Sequence, residues 1–121
     1  MHLIIVGCGK SKLTQSAPAR DLYTGQLFRA ARRYAEQRGD HWCIASAKYG
    51  IIEPNQVIHP YDDCLSRKRP DELRAWGACV QAGLIKTFHA MGVGAEGGQW
   101  INPPAVVIPV SYTHLTMPAN H

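Results

Sequence analysis

Short apolar runs alternate with helical stripes along this chain. Leu3-Ile4-Ile5-Val6 is a continuous apolar run closed by Gly7. That is the pattern of a strand covered on both faces, and a strand is expected over 2–7. Residues 8–23 carry Ser, Thr, Gly and Pro without a period and read as loop. Thr24 is a candidate N-cap for a helix over about 25–38. Its stripe is Leu27, Phe28, Ala31, Tyr34 and Ala35, with Arg29, Arg32 and Arg33 on the other side and Gly39 as the stop. A second strand is expected over His41–Ser46, around Trp42, Cys43 and Ile44. Residues 47–65 read as a long connection with two apolar pieces, Ile51-Ile52 and Val57-Ile58.

A second helix is expected from Pro70, which the first turn tolerates, with Asp71 and Glu72 at the positive end of the dipole. Leu73, Trp76, Val80, Leu84 and Phe88 recur at helical spacing and are expected in the core. Gly92 to Gly98 reads as a glycine-rich linker, and Ala105–Val110 as a third strand after Pro103-Pro104. Strands alternating with amphipathic helices predict an α/β fold: three layers, a mainly parallel sheet with helices packed on its faces. Such sheets bind ligands beyond the carboxyl ends of their strands. The loops at 8–23 and 47–65 both leave strand carboxyl ends, so they are expected to meet there.

The ending "VSYTHLTMPANH" changes the domain picture. Val110–Leu115 is the translation of GTC-TCT-TAT-ACA-CAT-CTG, the end sequence of a transposon used in preparing sequencing libraries. A single α/β domain is therefore expected over 1–110, incomplete at its C-terminus and lacking a further helix and strand, with a non-native tail over 111–121. His114 and His121 are not recruited as ligands.

With 121 residues, 45% hydrophobic and 18% charged, the composition is that of one globular domain. No apolar run approaches the roughly 20 residues that span a bilayer, and no signal peptide is visible. A cytoplasmic protein with no membrane partner is expected. Cys8, Cys43, Cys64 and Cys79 form no Cys-x-x-Cys pair, so no metal site is expected, nor a cofactor, and with no secretory signal the thiols are expected to be reduced. The net charge of +4 is uneven. Residues 1–39 carry seven Lys/Arg against two acids, a net +5, whereas residues 40–63 carry one against four, a net −3. A basic first third fits a phosphate-bearing partner as well as it fits a solvated helix face.

Three polar motifs stand at predicted strand edges. In "VGCGKSK", Gly9-Lys10-Ser11 suggests a phosphate loop. That loop requires a glycine where Ile4 stands, and the dinucleotide fingerprint requires one where Lys12 stands, so neither fits. Gly7 and Gly9 still allow close backbone approach, and Lys10 or Lys12 supplies charge. Cys8 reads as a packed side chain or a lysine-activated thiol. In "ARDLYTG", Arg20, Asp21 and Tyr23 precede a helix N-terminus, where backbone N–H groups favour anions. Asp21 reads equally as a catalytic carboxylate or as the partner of Arg20. In "SAKYGIIEP" and "HPYDDCL", Ser46, Lys48 and Tyr49 leave the second strand, and Tyr61 with Asp62 is suited to holding a base or polarising a water.

Together, "CGKSK", "ARDLYTGQLFRAARRYAE" and "IASAKYGIIEPNQVIHPYD" resemble the prokaryotic and phage domain of unknown function 6884, densely over residues 3–65. More distantly the pattern is similar to the YaaA peroxide-stress family. There, a lysine-bearing loop, Tyr-Thr-Gly, Ser-x-x-Tyr-Gly and Pro-Tyr match Lys10 or Lys12, Tyr23-Thr24-Gly25, Ser46 with Tyr49-Gly50, and Pro60-Tyr61. That resemblance implies DNA binding and protection against oxidative stress. A looser similarity runs to uracil-DNA-glycosylase-like domains, including one in archaeosine synthase, whose loop carries a Cys and a Lys. Their water-activating motif has no recognisable counterpart here.

Two readings follow. The first is an enzyme acting on a nucleobase or its glycosidic bond, in nucleic acid or free nucleotide, with Asp21, Lys48 and Asp62 as candidate catalytic residues. Its candidate ligand-binding residues are Gly7, Cys8, Gly9, Lys10, Lys12, Arg20, Tyr23, Ser46, Tyr49 and Tyr61. The second is a non-catalytic DNA- or RNA-binding module using Arg29, Arg32 and Arg33.

Overall fold

A computed structural model describes residues 2–38, 41–95, 99–102 and 105–112. The expected strands and helices form, and the central strand β1 (His2–Gly7) is buried from Leu3 to Val6. Its continuous apolar run follows from being covered on both faces. Ile4 and Val6 pack toward Phe28, Ala31 and Ala35 of helix α2 (Gln26–Arg38). Leu3 and Ile5 pack toward Leu84, Phe88 and Met91 of helix α3 (Pro70–Met91). Because side chains alternate along a strand, the two helices lie on opposite faces of the sheet. Strand β3 (His41–Ser46) runs parallel to β1 and repeats the division, Ile44 toward α2 and Cys43 toward α3. Burial pushes the Cys43 thiol up to about 12, with the Glu53 charge adding to the rise.

The sheet is mixed, which corrects the expected mainly parallel one. Strand β4 (Gly50–Ile52) returns antiparallel on β3, and β8 (Ala105–Tyr112) lies antiparallel against the other edge of β1. The order is β4-β3-β1-β8-β6, where β6 is Val93–Ala95, with β7 (Gln99–Asn102) also paired to β8. The physical reason lies just after α3. Gly92 caps the helix in the left-handed region at φ 72, and the chain enters β6 (Val93–Ala95), inside the stretch expected to be a linker. β6 is antiparallel to β8, hence parallel to β1. The strand that follows the helix therefore keeps the parallel direction of a β-α-β unit, and β8 turns back to insert between it and β1. Ser111 and Tyr112, assigned to the expected tail, lie in β8 and pair with Gly94 and Val93 of β6. Residues 113–121 and Pro103-Pro104 lie outside the described residues.

The long connection after β3 also folds. Gly50, at φ 74, makes the reversal into β4. Val57–Ile58 forms β5, which pairs with β2 (Ala17–Pro18) in a separate two-stranded sheet. A short helix α1 (Ala19–Leu22) follows β2 directly.

Two core expectations are corrected. Leu27 is 72% exposed. It sits one residue off the Phe28–Ala31–Ala35 line, about 100° round the helix, and the sheet does not cover it. The α3 stripe is only half-covered: no described residue of α3 is fully buried, and Leu73 is 40% exposed. The helix is held against the sheet by Leu84 and Phe88, by the close approach of Gly83 to Ile51, and by Trp76. The indole Nε1 of Trp76 donates to the Ser46 carbonyl at 2.8 Å. Glu72 closes the N-terminus by accepting the Arg69 N–H at 2.9 Å.

Candidate functional site

β1 and β3 are parallel, so their carboxyl ends, Gly7 and Ser46, emerge side by side, with Gly7 paired to Ala45. The two expected loops do meet there. The Cys8 N–H donates to the Ala45 carbonyl at 3.1 Å. The first loop is then pinned against the segment leading into α2. Leu13 N–H donates to Leu22 O at 2.9 Å, Thr24 N–H donates to Ser11 O at 3.0 Å, and Lys12 bridges to Tyr23. The pinning sets Lys12 over two rings. Its Nζ lies 4.4 Å from the Tyr61 ring centre and 5.7 Å from that of Tyr23. The same ammonium donates to the Lys10 carbonyl at 3.2 Å.

Beneath Lys12 runs a hydroxyl chain. Ser46, fully buried, accepts the backbone N–H groups of Lys48 at 3.2 Å and Tyr49 at 3.0 Å. This is a serine side chain capping the turn that follows its own strand. Ser46 donates in turn to the Tyr61 hydroxyl at 2.8 Å, which meets the Tyr23 hydroxyl at 2.6 Å. Tyr49 packs edge-on against Tyr61, with ring centres 5.5 Å apart. Burial pushes the Tyr61 phenol well above its usual range, the Tyr23 bond and the nearby Cys8 adding to the rise while the Ser46 bond opposes it. Tyr23 is raised for the same first reason, against the pull of its Tyr61 and Ser46 contacts. Both phenols stay protonated at neutral pH and serve as hydrogen-bond donors rather than bases.

Beside this cluster lies a cavity of about 160 Å³. Cys8, Gly9, Lys10 and Lys12 line one side, and Asp62, Asp63, Cys64, Ser66 and Arg67 the other. The Arg67 guanidinium holds Asp62 at 3.0 Å, and Lys68 lies 3.7 Å from Asp63. The Cys64 thiol is pulled below its usual range, first by its bond to the Ser66 hydroxyl at 3.0 Å, then by the Ser66 backbone and by Arg67. Cys64, Ser66 and Arg67 were not anticipated. Cys64 stands in the quoted "HPYDDCL" motif, but nothing in the pattern sets Arg67 apart from its basic neighbours.

The other expected residues are placed elsewhere. Gly9 is not in the left-handed region, and a Cβ there would meet only Phe28 at an ordinary 3.9 Å, so its backbone needs no glycine. Lys48 is exposed, its Nζ 5.4 Å from the Tyr49 ring centre. Asp21 faces α2, where Arg32 binds it at 3.0 Å and Arg20 stands at 3.8 Å. Arg32 also donates to the Arg20 carbonyl at 2.8 Å and to Glu36 at 3.3 Å. Burial lowers the Arg32 pKa, but its two carboxylate partners outweigh it and hold the guanidinium above its usual range. Arg32 therefore ties α1 to α2. Arg29 and Arg33 are exposed and have no ion pair among the described residues. They share the outer surface of α2 with Gln26, Leu27 and Ala30.

Residues 3–94 match a family of unknown function, DUF6884. The chain belongs to that family. Its site motifs, from the Gly7–Lys12 loop to the Tyr61–Arg67 segment, all fall within the matched residues. The chain is also similar to the uncharacterized protein YfjM of Bacillus subtilis (strain 168), 32% identical over 98 residues. The match covers 75% of this chain and 61% of that relative, so the chain spans under two thirds of the relative's length. No solved structure matches it significantly. Among the described residues no helix is long and apolar enough to cross a membrane, and no cluster of three or more His, Cys, Asp or Glu is placed to hold a metal ion.

Proposed function

We propose that this DUF6884 chain binds a nucleotide, free or within nucleic acid, in the cavity beyond β1 and β3, and acts on its base or glycosidic bond. The observation that carries the reading is the placement of Lys12. Its ammonium bears on the Tyr61 ring and, with Lys10 and Arg67, lines one small cavity at the carboxyl ends of two parallel strands. Three cations against two carboxylates around a 160 Å³ space suit a phosphate, and the Tyr61 ring lies under one of them, Lys12. Asp62, which lines the same cavity and pairs with Arg67 at 3.0 Å, is the carboxylate placed to polarise a water. Asp21, held by Arg32 and Arg20, serves structure in this reading, and the exposed Lys48, which does not line the cavity, takes no part in the chemistry. The distant similarity of the motifs to YaaA and to uracil-DNA-glycosylase-like domains supports a nucleic-acid substrate.

A second reading, a non-catalytic DNA- or RNA-binding module, is favoured by one observation: Arg29 and Arg33 project from α2 without ion-pair partners among the described residues. One experiment separates the two. The 15N-labelled protein is titrated with dAMP, dGMP, dCMP and dTMP and with a short single-stranded oligonucleotide. Shifts confined to Gly7–Lys12, Ser46–Tyr49 and Tyr61–Arg67, together with release or alteration of the base by chromatography, support the first reading. Shifts confined to α2 and seen only with the oligonucleotide support the second and overturn the first.

A further inference from the structure

Helix α3 carries two apolar stripes, and the sheet covers only one. Trp76, Val80, Leu84, Phe88 and Met91 form the inner stripe and are half-buried. On the back of the helix Asp71, Ala75, Ala78, Ala82, Ile85 and His89 recur every three or four residues, and all six are exposed, Ile85 to 50%. At about 100° per residue these six fall within about 80° of one another, opposite the inner stripe. Residues 75–85 hold no charged side chain at all. The outer surface of α2 shows what a solvated face looks like in this chain, with Arg29, Arg33 and Glu36 standing on it. A helix that is apolar on both faces is normally covered on both.

We propose that the outer stripe of α3 is a self-association surface whose partner is a second copy of this chain, packed antiparallel across a two-fold axis. With no cation between Arg74 and Lys86, the middle of the stripe offers nothing to a phosphate. Its shape is complementary to itself. With the axis beside residue 80, Ala78 of each copy meets Ala82 of the other, and Ile85 meets Ala75, so a bulky side chain faces a small one in two equivalent contacts. Alanines at the centre let the two helices approach closely. Charge fixes the direction. Asp71 and Glu72 stand in the first turn of α3, and Lys86 and His89 near its end. Antiparallel packing sets the basic end of each copy against the acidic end of the other, whereas parallel packing sets like charges together. The area sets the strength. A 22-residue helix is about 33 Å long, and two facing strips about 10 Å wide bury roughly 700 Å² between them, below the size of a standard interface. The dimer is therefore weak and reversible.

This surface lies on the face of the sheet away from α2 and does not depend on the nucleotide reading. Sedimentation equilibrium of the full chain from about 1 μM to about 1 mM tests it, a range that detects weak association. Circular dichroism first establishes that each variant is folded. Wild type is expected to pass from monomer to dimer across the range. Ala82→Glu, which sets two acids beside the axis, is expected to weaken the dimer at least about a hundredfold. Leu27→Glu, on the exposed surface of α2, is expected to leave it unchanged. Lys86→Glu is expected to weaken it about tenfold, and Asp71→Lys added to Lys86→Glu to recover it. A wild type that stays monomeric at the highest concentration overturns the proposal. So does a dimer that survives Ala82→Glu, or one that Leu27→Glu abolishes. Failure of the double variant to recover overturns the antiparallel arrangement.

Discussion

Ser46→Ala removes one oxygen atom and disturbs three hydrogen bonds at once. The Cβ stays, so packing is almost untouched, and the energy comes from the polar groups left behind. The Lys48 N–H belongs to an exposed residue and turns to water at little cost. The Tyr49 N–H belongs to a half-buried one and is stranded, at about 1–3 kcal/mol. Losing the 2.8 Å bond to Tyr61 adds about 1 kcal/mol, since Tyr61 still has Tyr23 as a partner. The expected loss is about 2–4 kcal/mol, a large share of the stability of a domain this size. Urea unfolding followed by tryptophan fluorescence reads it as a midpoint lowered by about 1–3 M with an unchanged slope. Ser16→Ala, which breaks an exposed bond to His59, is the control and is expected to change stability by less than about 0.5 kcal/mol. If Ser46→Ala unfolds within about 0.5 kcal/mol of wild type, Ser46 is not the keystone of the turn and the hydroxyl chain loses its origin.

Arg32→Gln is expected to destabilise by about 1–2 kcal/mol, because it leaves Asp21, Glu36 and the Arg20 carbonyl without their shared partner, whereas Arg33→Gln leaves stability unchanged; thermal melts of the two variants check this. Leu27→Gln is expected to be silent, while Phe28→Ala costs about 3–5 kcal/mol, so equal losses would place Leu27 in the core after all. Cys43 holds its proton more tightly folded than unfolded. Its contribution to stability is therefore complete below about pH 9 and lost as pH rises toward about 12. Chemical unfolding across that window is expected to fall less steeply in Cys43→Ala, the remaining slope coming from the raised phenols of Tyr23 and Tyr61.

Local pattern made much of this fold legible. The uninterrupted run Leu3–Val6 announced a strand covered twice, and the parallel pairing of β1 with β3 placed the two loops together, as their position after strands implied. The direction of β8 was not legible, because it depends on a three-residue strand, Val93–Ala95, hidden among glycines, and such short pieces carry no period of their own. At the site, Lys12, Tyr23, Ser46 and Tyr61 were all named from motifs, yet their joining is set by pairings between residues 11–13 and 22–24 that no sequence period encodes. The sequence suggests Arg20 as a partner for Asp21, and that pair forms at 3.8 Å, but the closer pair with Arg32, eleven residues on in α2, is encoded by no local pattern. Arg67 reaches the cavity from a single 3-10 turn, Leu65–Arg67, too short to show in any pattern.

The central claim is that Lys12 charges a nucleotide site beside the Tyr61 ring, and its most direct test is the affinity of Lys12→Ala for the nucleotide or oligonucleotide that wild type binds, measured by calorimetry. Lys12 is half-buried over the Tyr23 and Tyr61 rings, so a thermal melt of the variant first establishes that it is folded. Loss of one charge-assisted hydrogen bond predicts binding weaker by about 1–3 kcal/mol, roughly tenfold to over a hundredfold, with a shallower dependence on salt. Full affinity in a folded Lys12→Ala variant, with the same salt dependence as wild type, would contradict the account.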